Sequence, residues 1–373
     1  MQKTTYSQNM NITPKIAIDA RMVSRSGIGT CIQHWLRDVG YSIAMGDPKD
    51  LAPYKDVVPT QISFISSIYG YKEQLKFPYR ALRKQKPDLL HIPHCNVPLF
   101  YRGKMLVTIH DLTHLVYPEF LPMKIVHWYF KFIFWFVNKR ANHIITVSES
   151  TKRDLIRFYN TDPDKITVIP LAAGSEFIRK SKSEIDYLYE KFNVPRDKKI
   201  LLYVGNLLPH KNLNGLLEGF AQMKGKENCQ LVLVGKAFDG RTQATREKEL
   251  GLEKLTTHAG MVSQEDLVAF YNLADLFVLP SLYEGFGLPV LEALACGTPV
   301  ACSNTSSLPE VGGNVAKYFD PKDASSIART LEDSIDDKGK FDKEINEWVS
   351  QFSWKSCAEK IKQVAIQTAC LEK

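Results

Sequence analysis

Residues 276–302 read LFVLPSLYEGFGLPVLEALACGTPVAC. An apolar run, Leu276–Pro280, gives way to a loop holding Gly285 and Gly287. Pro289 then stands where a helix begins, Gly297 closes it, and a second apolar run starts at Pro299. Proline at a helix start and glycine just past its end are the usual helix punctuation. A strand, a crossover helix and a strand in immediate succession form the unit of a parallel sheet.

The same alternation extends towards both ends of the chain. Strands are predicted at Lys15–Arg21, Asp88–His94, Met105–His110, His143–Ser148 and Ile166–Leu171, then at Ile200–Gly205, Gln230–Gly235 and Pro299–Cys302. Continuous apolar runs of this kind suit strands buried on both faces. Helices are predicted over Thr30–Val39, Glu73–Gln85, Met123–Ala141, Glu149–Phe158, Asn212–Met223 and Gln264–Leu273, the last capped by Ser263 with Asp266 three positions on. The expected class is α/β, with two doubly wound Rossmann-like domains facing each other across a cleft. Residues 1–14 read as a disordered extension, 15–175 as the first domain and 176–199, charged and interrupted by Pro195, as a linker. Residues 200–336 read as the second domain, and 337–373 as helices packing back towards the first.

Composition narrows the function. Of 373 residues, 44% are hydrophobic and 24% charged, which excludes a disordered, collagenous or coiled-coil chain. A net charge of +7 suits an anionic partner. With no run of five or six basic residues, it gives no sign of nucleic acid. The seven cysteines never form C-x-x-C, against a zinc site or a disulfide framework and in favour of a reducing compartment. The N-terminus has no apolar core of a signal peptide, and the longest apolar stretch, Ile125–Val137, is 13 residues, short of the roughly 20 needed to span a bilayer. The expected location is the cytoplasm, with contact at the inner face of the cell membrane left open. Two readings of the aromatic, lysine-dotted segment Met123–Arg140 compete. Apolar residues on many faces favour a helix buried all round, whereas its interleaved lysines allow contact with an anionic bilayer or a polyprenyl-linked acceptor.

Ligands of open α/β sheets bind beyond the carboxyl ends of the strands, and several unusual residues fall there. Gly27-Ile28-Gly29 precedes the first helix, as either a phosphate approach or a tight turn. His110 follows a strand and suits either a cleft acid/base or a capped structural histidine. Gly205-Asn206 closes another strand. Lys211 sits ahead of a helix N-terminus, where a cation opposes the dipole, a local conflict that points to an anion nearby. The loop Phe286-Gly287-Leu288 presents backbone N–H groups at a helix start, an anion site. Glu284 and Glu292 flank it as acceptors for hydroxyl groups, the pattern of sugar and ribose recognition. Asp162-Pro163-Asp164 spells the D-x-D of metal-binding transferases but reads as a turn.

The segment Glu284–Glu292 resembles the E-x7-E element of the retaining glycosyltransferases of family 4, which have the GT-B fold. The resemblance extends through IDAR…GIG (Ile18–Gly29), VTIHD (Val107–Asp111), VSESTKRDL (Val147–Leu155), KITVIP (Lys165–Pro170), YVGNLLPHKN (Tyr203–Asn212) and ACGTPV (Ala295–Val300). It implies a sugar nucleotide donor held by the second domain and a saccharide or polyprenyl-linked acceptor held by the first. Lys211 would clamp the diphosphate, with Gly27 and Gly29 beside it. Glu284 and the amides of Phe286, Gly287 and Leu288 would bind the transferred sugar. Glu292 would hold the ribose, Met261 or Val262 would touch the base, and His110 would face the donor sugar. Asn206 stands where relatives often carry an arginine. The resemblance implies hexosyl transfer with retention, without metal or further cofactor, and GDP-mannose is the favoured donor. The competing functions are a sugar-nucleotide epimerase on a similar fold and a catalytically silent nucleotide-sugar-binding subunit.

Overall fold

The computed structural model describes residues 13–371 except 26, 67, 69, 70, 122 and 237–240; the expected N-terminal extension falls almost wholly outside this range. The first sheet holds seven strands: β1 (Ile16–Asp19), β2 (Ile43–Gly46), β3 (Thr60–Ser63), β4 (Leu89–Ile92), β5 (Met105–Ile109), β6 (His143–Thr146) and β7 (Ile166–Val168). They lie in the order β3-β2-β1-β4-β5-β6-β7. The second holds β8 (Lys199–Val204), β9 (Cys229–Val234), β10 (Thr256–Gly260), β11 (Leu276–Leu279), β12 (Val300–Ser303) and β13 (Lys317–Phe319), in the order β10-β9-β8-β11-β12-β13 and parallel throughout. Both orders reverse beside the first strand of the sheet, which makes each a doubly wound α/β arrangement with its switch point at the carboxyl ends of the central strands. Around the second sheet, Leu216, Leu217 and Phe220 of the helix Leu213–Gln222 and Ile327 and Leu331 of the helix Ala324–Ser334 close over Leu201, Tyr203 and Leu231. Each such buried side chain contributes about 1.5–3 kcal/mol.

Packing divides the chain into two compact units. One comprises the residues up to Thr108 with Trp135–Ile145 and those from Ala358 on; the other comprises Ile109–Phe134 and Thr146–Cys357. His110 and the helix Glu149–Tyr159 thus belong with the second unit. In the first, Lys104 Nζ donates to the Ala369 carbonyl at 2.5 Å, tying down the helix Trp354–Cys370.

The structure departs from the sequence reading in three places and agrees with it at Asp162. The segment Glu73–Gln85 is two helices, Tyr71–Lys76 and Tyr79–Gln85, because Pro78 has no N–H to continue the first. The stretch read as a linker forms short helices at Lys182–Ile185 and Tyr187–Lys191, the first closed by a Ser181–Glu184 capping box. Asp266, on the helix Gln264–Leu273, holds Lys191 and Tyr187 at 2.8 and 2.9 Å. Asp162 accepts from the Asp164 N–H at 3.0 Å in a 3-10 turn, as the turn reading anticipated. The helix Lys124–Arg140 is not buried all round: Phe130, Ile133, Phe134 and Val137 are in the core, while Ile125, Trp128, Phe132 and Trp135 are exposed.

Candidate active site

The glycine-rich loop of the second unit is pinned by its contacts. A Cβ on Gly285 would lie 2.1 Å from the His110 carbonyl oxygen, and Gly287 takes φ 110° against Leu308. Thr151 Oγ1 donates to the same His110 carbonyl at 3.3 Å. Ser307 Oγ reaches the carbonyls of Glu284 and Phe286 at 2.9 and 2.7 Å, and Ser306 Oγ accepts from the Glu284 N–H at 2.9 Å. Gly285 is therefore a close-approach residue that brings His110 against the loop. We expect Gly285→Ala to cost about 2–3 kcal/mol as backbone is forced apart. Gly27→Ala, where φ is +67° with ψ −88° and nothing lies within 4 Å, should carry backbone strain alone, about 1–3 kcal/mol. An unchanged melting temperature in Gly285→Ala would contradict this reading.

The loop positions Glu284. Its Oε1 accepts from Lys211 Nζ at 2.6 Å and from Ser281 Oγ at 2.6 Å, with both members of the ion pair largely buried. Lys211 ends the 3-10 turn Pro209–Lys211, one residue short of Asn212, the left-handed N-cap of Leu213–Gln222. Asn212 Nδ2 holds that turn by donating to the carbonyls of Pro280 and Pro321 at 3.1 and 2.8 Å. The Leu282 N–H donates to the His210 carbonyl at 2.7 Å, locking the lysine turn onto the glutamate loop. Burial, then the Lys211 ammonium, pushes the His210 imidazole below its ordinary value and keeps it neutral. A cation and a carboxylate thus meet just ahead of the helix Leu288–Ala295, whose first N–H groups carry positive potential.

Glu292 is not joined to Glu284. It lies on the helix Leu288–Ala295, where Tyr271 Oη donates to its Oε2 at 2.8 Å. Desolvation raises its carboxyl from 4.5 to about 7, only partly offset by the Tyr271 hydrogen bond. The folded protein therefore favours the protonated acid. The cost of holding it ionised is absent below pH 4.5, grows above that value and is complete past pH 7. Glu292→Gln should raise unfolding stability at pH 8 by roughly 2 kcal/mol and change little at pH 4. A pH-independent difference would overturn this account.

At the carboxyl ends of β8, β9 and β10, Tyr203, Gly205, Leu233, Gly235 and His258 line a small cavity. Asn206 lies just beyond Gly205, with its carbonyl accepting from Tyr203 Oη at 3.4 Å. Met261 is 75% exposed immediately after β10, with Val262 half-buried behind it.

Gly27 and Gly29 lie in the first unit. Gly27 is the N-cap of Ile28–Asp38, and a Cβ on Gly29 would meet the Met22 carbonyl oxygen at 2.7 Å, so both meet demands of the turn itself. Beside them, beyond β1–β3, a cavity of about 380 Å³ is lined by Arg21, Ser24, Asp47, Asp50, Phe64 and Lys76, among others. The Arg21 guanidinium stacks on Phe64 at 4.0 Å and is held by Asp19 and Glu73, each at 2.6 Å. His94 Nε2 stands 3.3 Å from Asp19, and Asn96 Nδ2 donates to Glu73. Sequence reasoning passed over this buried network, although IDAR carries two of its members. It likewise gave no role to Ser281, three positions from its partner Glu284, or to His210, Tyr271 and Ser307, whose partners lie 21 or more positions away.

Two doubly wound parallel sheets thus carry a lysine–glutamate pair set before a helix N-terminus, and comparison with known proteins gives the class. Residues 185–363 match the model for glycosyl transferases group 1, and residues 43–173 that for Glycosyltransferase Family 4. The chain belongs to this family. It is 32% identical over 283 residues to O-antigen chain mannosyltransferase B of Escherichia coli, covering 74% of each chain. It is 28% identical over 361 residues to the serotype-specific mannosyltransferase WbdA of Escherichia coli, covering 91% of this chain and 40% of that one; it thus spans less than half the length of that relative. Among solved structures, sucrose-phosphate synthase from Thermosynechococcus elongatus superposes with a TM-score of 0.76 at 21% identity, covering 95% of this chain and 98% of that one.

Proposed function

We propose that this protein transfers mannose from a nucleoside-diphosphate sugar, GDP-mannose by preference, to a saccharide or lipid-linked saccharide acceptor in polysaccharide synthesis, with retention of anomeric configuration and without metal. The observation that carries the reading is the Lys211–Glu284–Ser281 contact set ahead of a helix N-terminus. The mannosyltransferase names of the two relatives support the sugar.

In this mechanism the diphosphate settles against Lys211 and the N–H groups of Leu288–Ala295, while Glu284 and the Phe286–Leu288 amides hold the hexose. Glu292 takes the ribose hydroxyls, and Met261 or Val262 the base. The bond between the anomeric carbon and the diphosphate oxygen breaks. The acceptor oxygen bonds to that carbon on the same face, and its proton passes to the departing diphosphate. Stabilising charge on the leaving group is then the main catalytic task, which suits a lysine and helix dipoles rather than the acid–nucleophile pair of glycosidases. The polar, Phe64-walled cavity of the first unit is the acceptor site in this reading.

Thermal unfolding with GDP, UDP and dTDP in EDTA tests nucleotide recognition. A ligand at 100 times its dissociation constant stabilises by about 2.7 kcal/mol. A shift with GDP alone is the expected result, and a shift seen only after metal is added overturns the metal-free reading. NMR of the product formed from GDP-mannose then reads the anomeric outcome. Conversion of the sugar nucleotide without an acceptor would favour the epimerase, and the absence of any turnover would favour the silent subunit.

A further inference from the structure

We propose that the exposed face of the helix Lys124–Arg140 docks on an anionic lipid bilayer. At 100° per residue, Lys124, Ile125, Trp128, Lys131 and Phe132 fall within an arc of about 120°, and Trp135 continues the same stripe. Ile125, Trp128 and Phe132 are 69%, 66% and 48% exposed, whereas Phe130, Ile133 and Phe134, on the opposite side, are buried. Large apolar side chains of a soluble surface are normally scattered singly; a one-sided row of them marks an interaction surface. The helix contains no aspartate or glutamate and four basic residues, Lys124, Lys131, Lys139 and Arg140, in a chain of net charge +7. Lys131 Nζ sits 5.0 Å from the Trp128 ring centroid, so charge and aromatic surface share one patch.

This chemistry matches a headgroup boundary better than a protein partner. Tryptophan settles at the membrane–water interface with its amphipathic ring, and interfacial helices bury the apolar face while lysines meet anionic lipid. At about 26 Å, taken at 1.5 Å per residue, the helix lies along such a surface; no helix among the described residues is long and apolar enough to cross one. The helix is braced from below, since Tyr159 Oη donates to the Lys131 carbonyl at 3.2 Å and the Phe134 and Tyr159 rings are 6.2 Å apart. The exposed row is therefore presented by a fixed element.

The test is co-sedimentation of the full chain with vesicles of phosphatidylcholine, alone or with one third phosphatidylglycerol. Strong binding only to the anionic vesicles is expected. The double variant Lys124→Ala, Lys131→Ala should lower that partition by about fivefold per lysine, and Trp128→Glu or Phe132→Glu should lower it by at least about tenfold. Unchanged nucleotide-induced melting shifts in these variants would show that the fold and donor site are intact, so the result stands apart from the proposed activity. No sedimentation with either vesicle, or equal sedimentation of wild type and variants, overturns the proposal. So does a wild-type dimer in solution that Trp128→Glu converts to monomer, because the face would then belong to a second copy.

Discussion

Replacing Lys211 by alanine should weaken donor nucleotide binding by about 2–4 kcal/mol, the scale on which removing one member of a buried charge pair is felt. That corresponds to between about thirtyfold and a thousandfold in dissociation constant. Lys211 and Glu284 are only 18% and 11% exposed and lie 2.6 Å apart, so their interaction is poorly screened by water. With the ammonium gone, Glu284 keeps the Ser281 hydroxyl but faces an incoming diphosphate as an uncompensated negative charge. The loss should therefore exceed that of a surface lysine, which is typically under about 1 kcal/mol. Glu284→Gln separates the roles. It removes the carboxylate while leaving Lys211 free for the diphosphate, so turnover should fall more than affinity for the nucleotide alone. Unchanged affinity in Lys211→Ala, measured by calorimetry with GDP, would remove the lysine from the diphosphate site.

The second large effect concerns stability. Asp19→Asn should destabilise the protein by about 3–5 kcal/mol, the range for breaking a buried ion pair. Asp19, Arg21, Glu73 and His94 have side-chain exposures of 0–3%. Burial alone would raise the Asp19 carboxyl, but the Arg21 guanidinium and His94 outweigh it and hold the group well below the usual carboxylate range. Burial raises the Glu73 carboxyl, with Arg21 opposing, whereas the Asp19 carboxyl is held low, so Asp19 is the firmer counter-ion. Because the native pKa of Asp19 is depressed, its contribution is full above the ordinary value of 3.8 and is lost as the pH falls below it. Chemical denaturation at pH 7 should show the full difference between variant and wild type, which should shrink under acid. A difference below about 1 kcal/mol at pH 7 would mean the network relaxes around the amide.

Much of the fold was legible from hydrophobic runs because parallel strands buried on both faces carry no polar alternation. IAID, MLVTI, CQLVLV and LFVL are wholly buried and stood out in the sequence. The strands that escaped notice include the sheet edges TQIS, TTHAG and KYF, which are short and part-exposed. An edge strand pairs on one side only and need not be apolar. IAMG also escaped notice, although it is as buried as the strands that were read.

The site divides along the same line. Glu284, Glu292, Lys211 and the Phe286–Leu288 loop could be singled out from local chemistry alone: glycines before a helix, a lysine against a dipole, and acids able to accept from hydroxyl groups. Local sequence also carried the α/β class and the helix capped at Ser263, because propensity, capping and strand burial act over a few residues. Which charges meet was settled only by the folded chain. Glu284 finds Lys211 across 73 positions and Arg21 finds Glu73 across 52. Glu292 is committed to Tyr271 rather than to its neighbour in the motif. Gly285 is glycine because the His110 carbonyl lies 2.1 Å from where a Cβ would stand. Contacts of this kind depend on how sheets and helices pack in three dimensions, and no local rule of spacing encodes the distance between residues that only tertiary packing brings together.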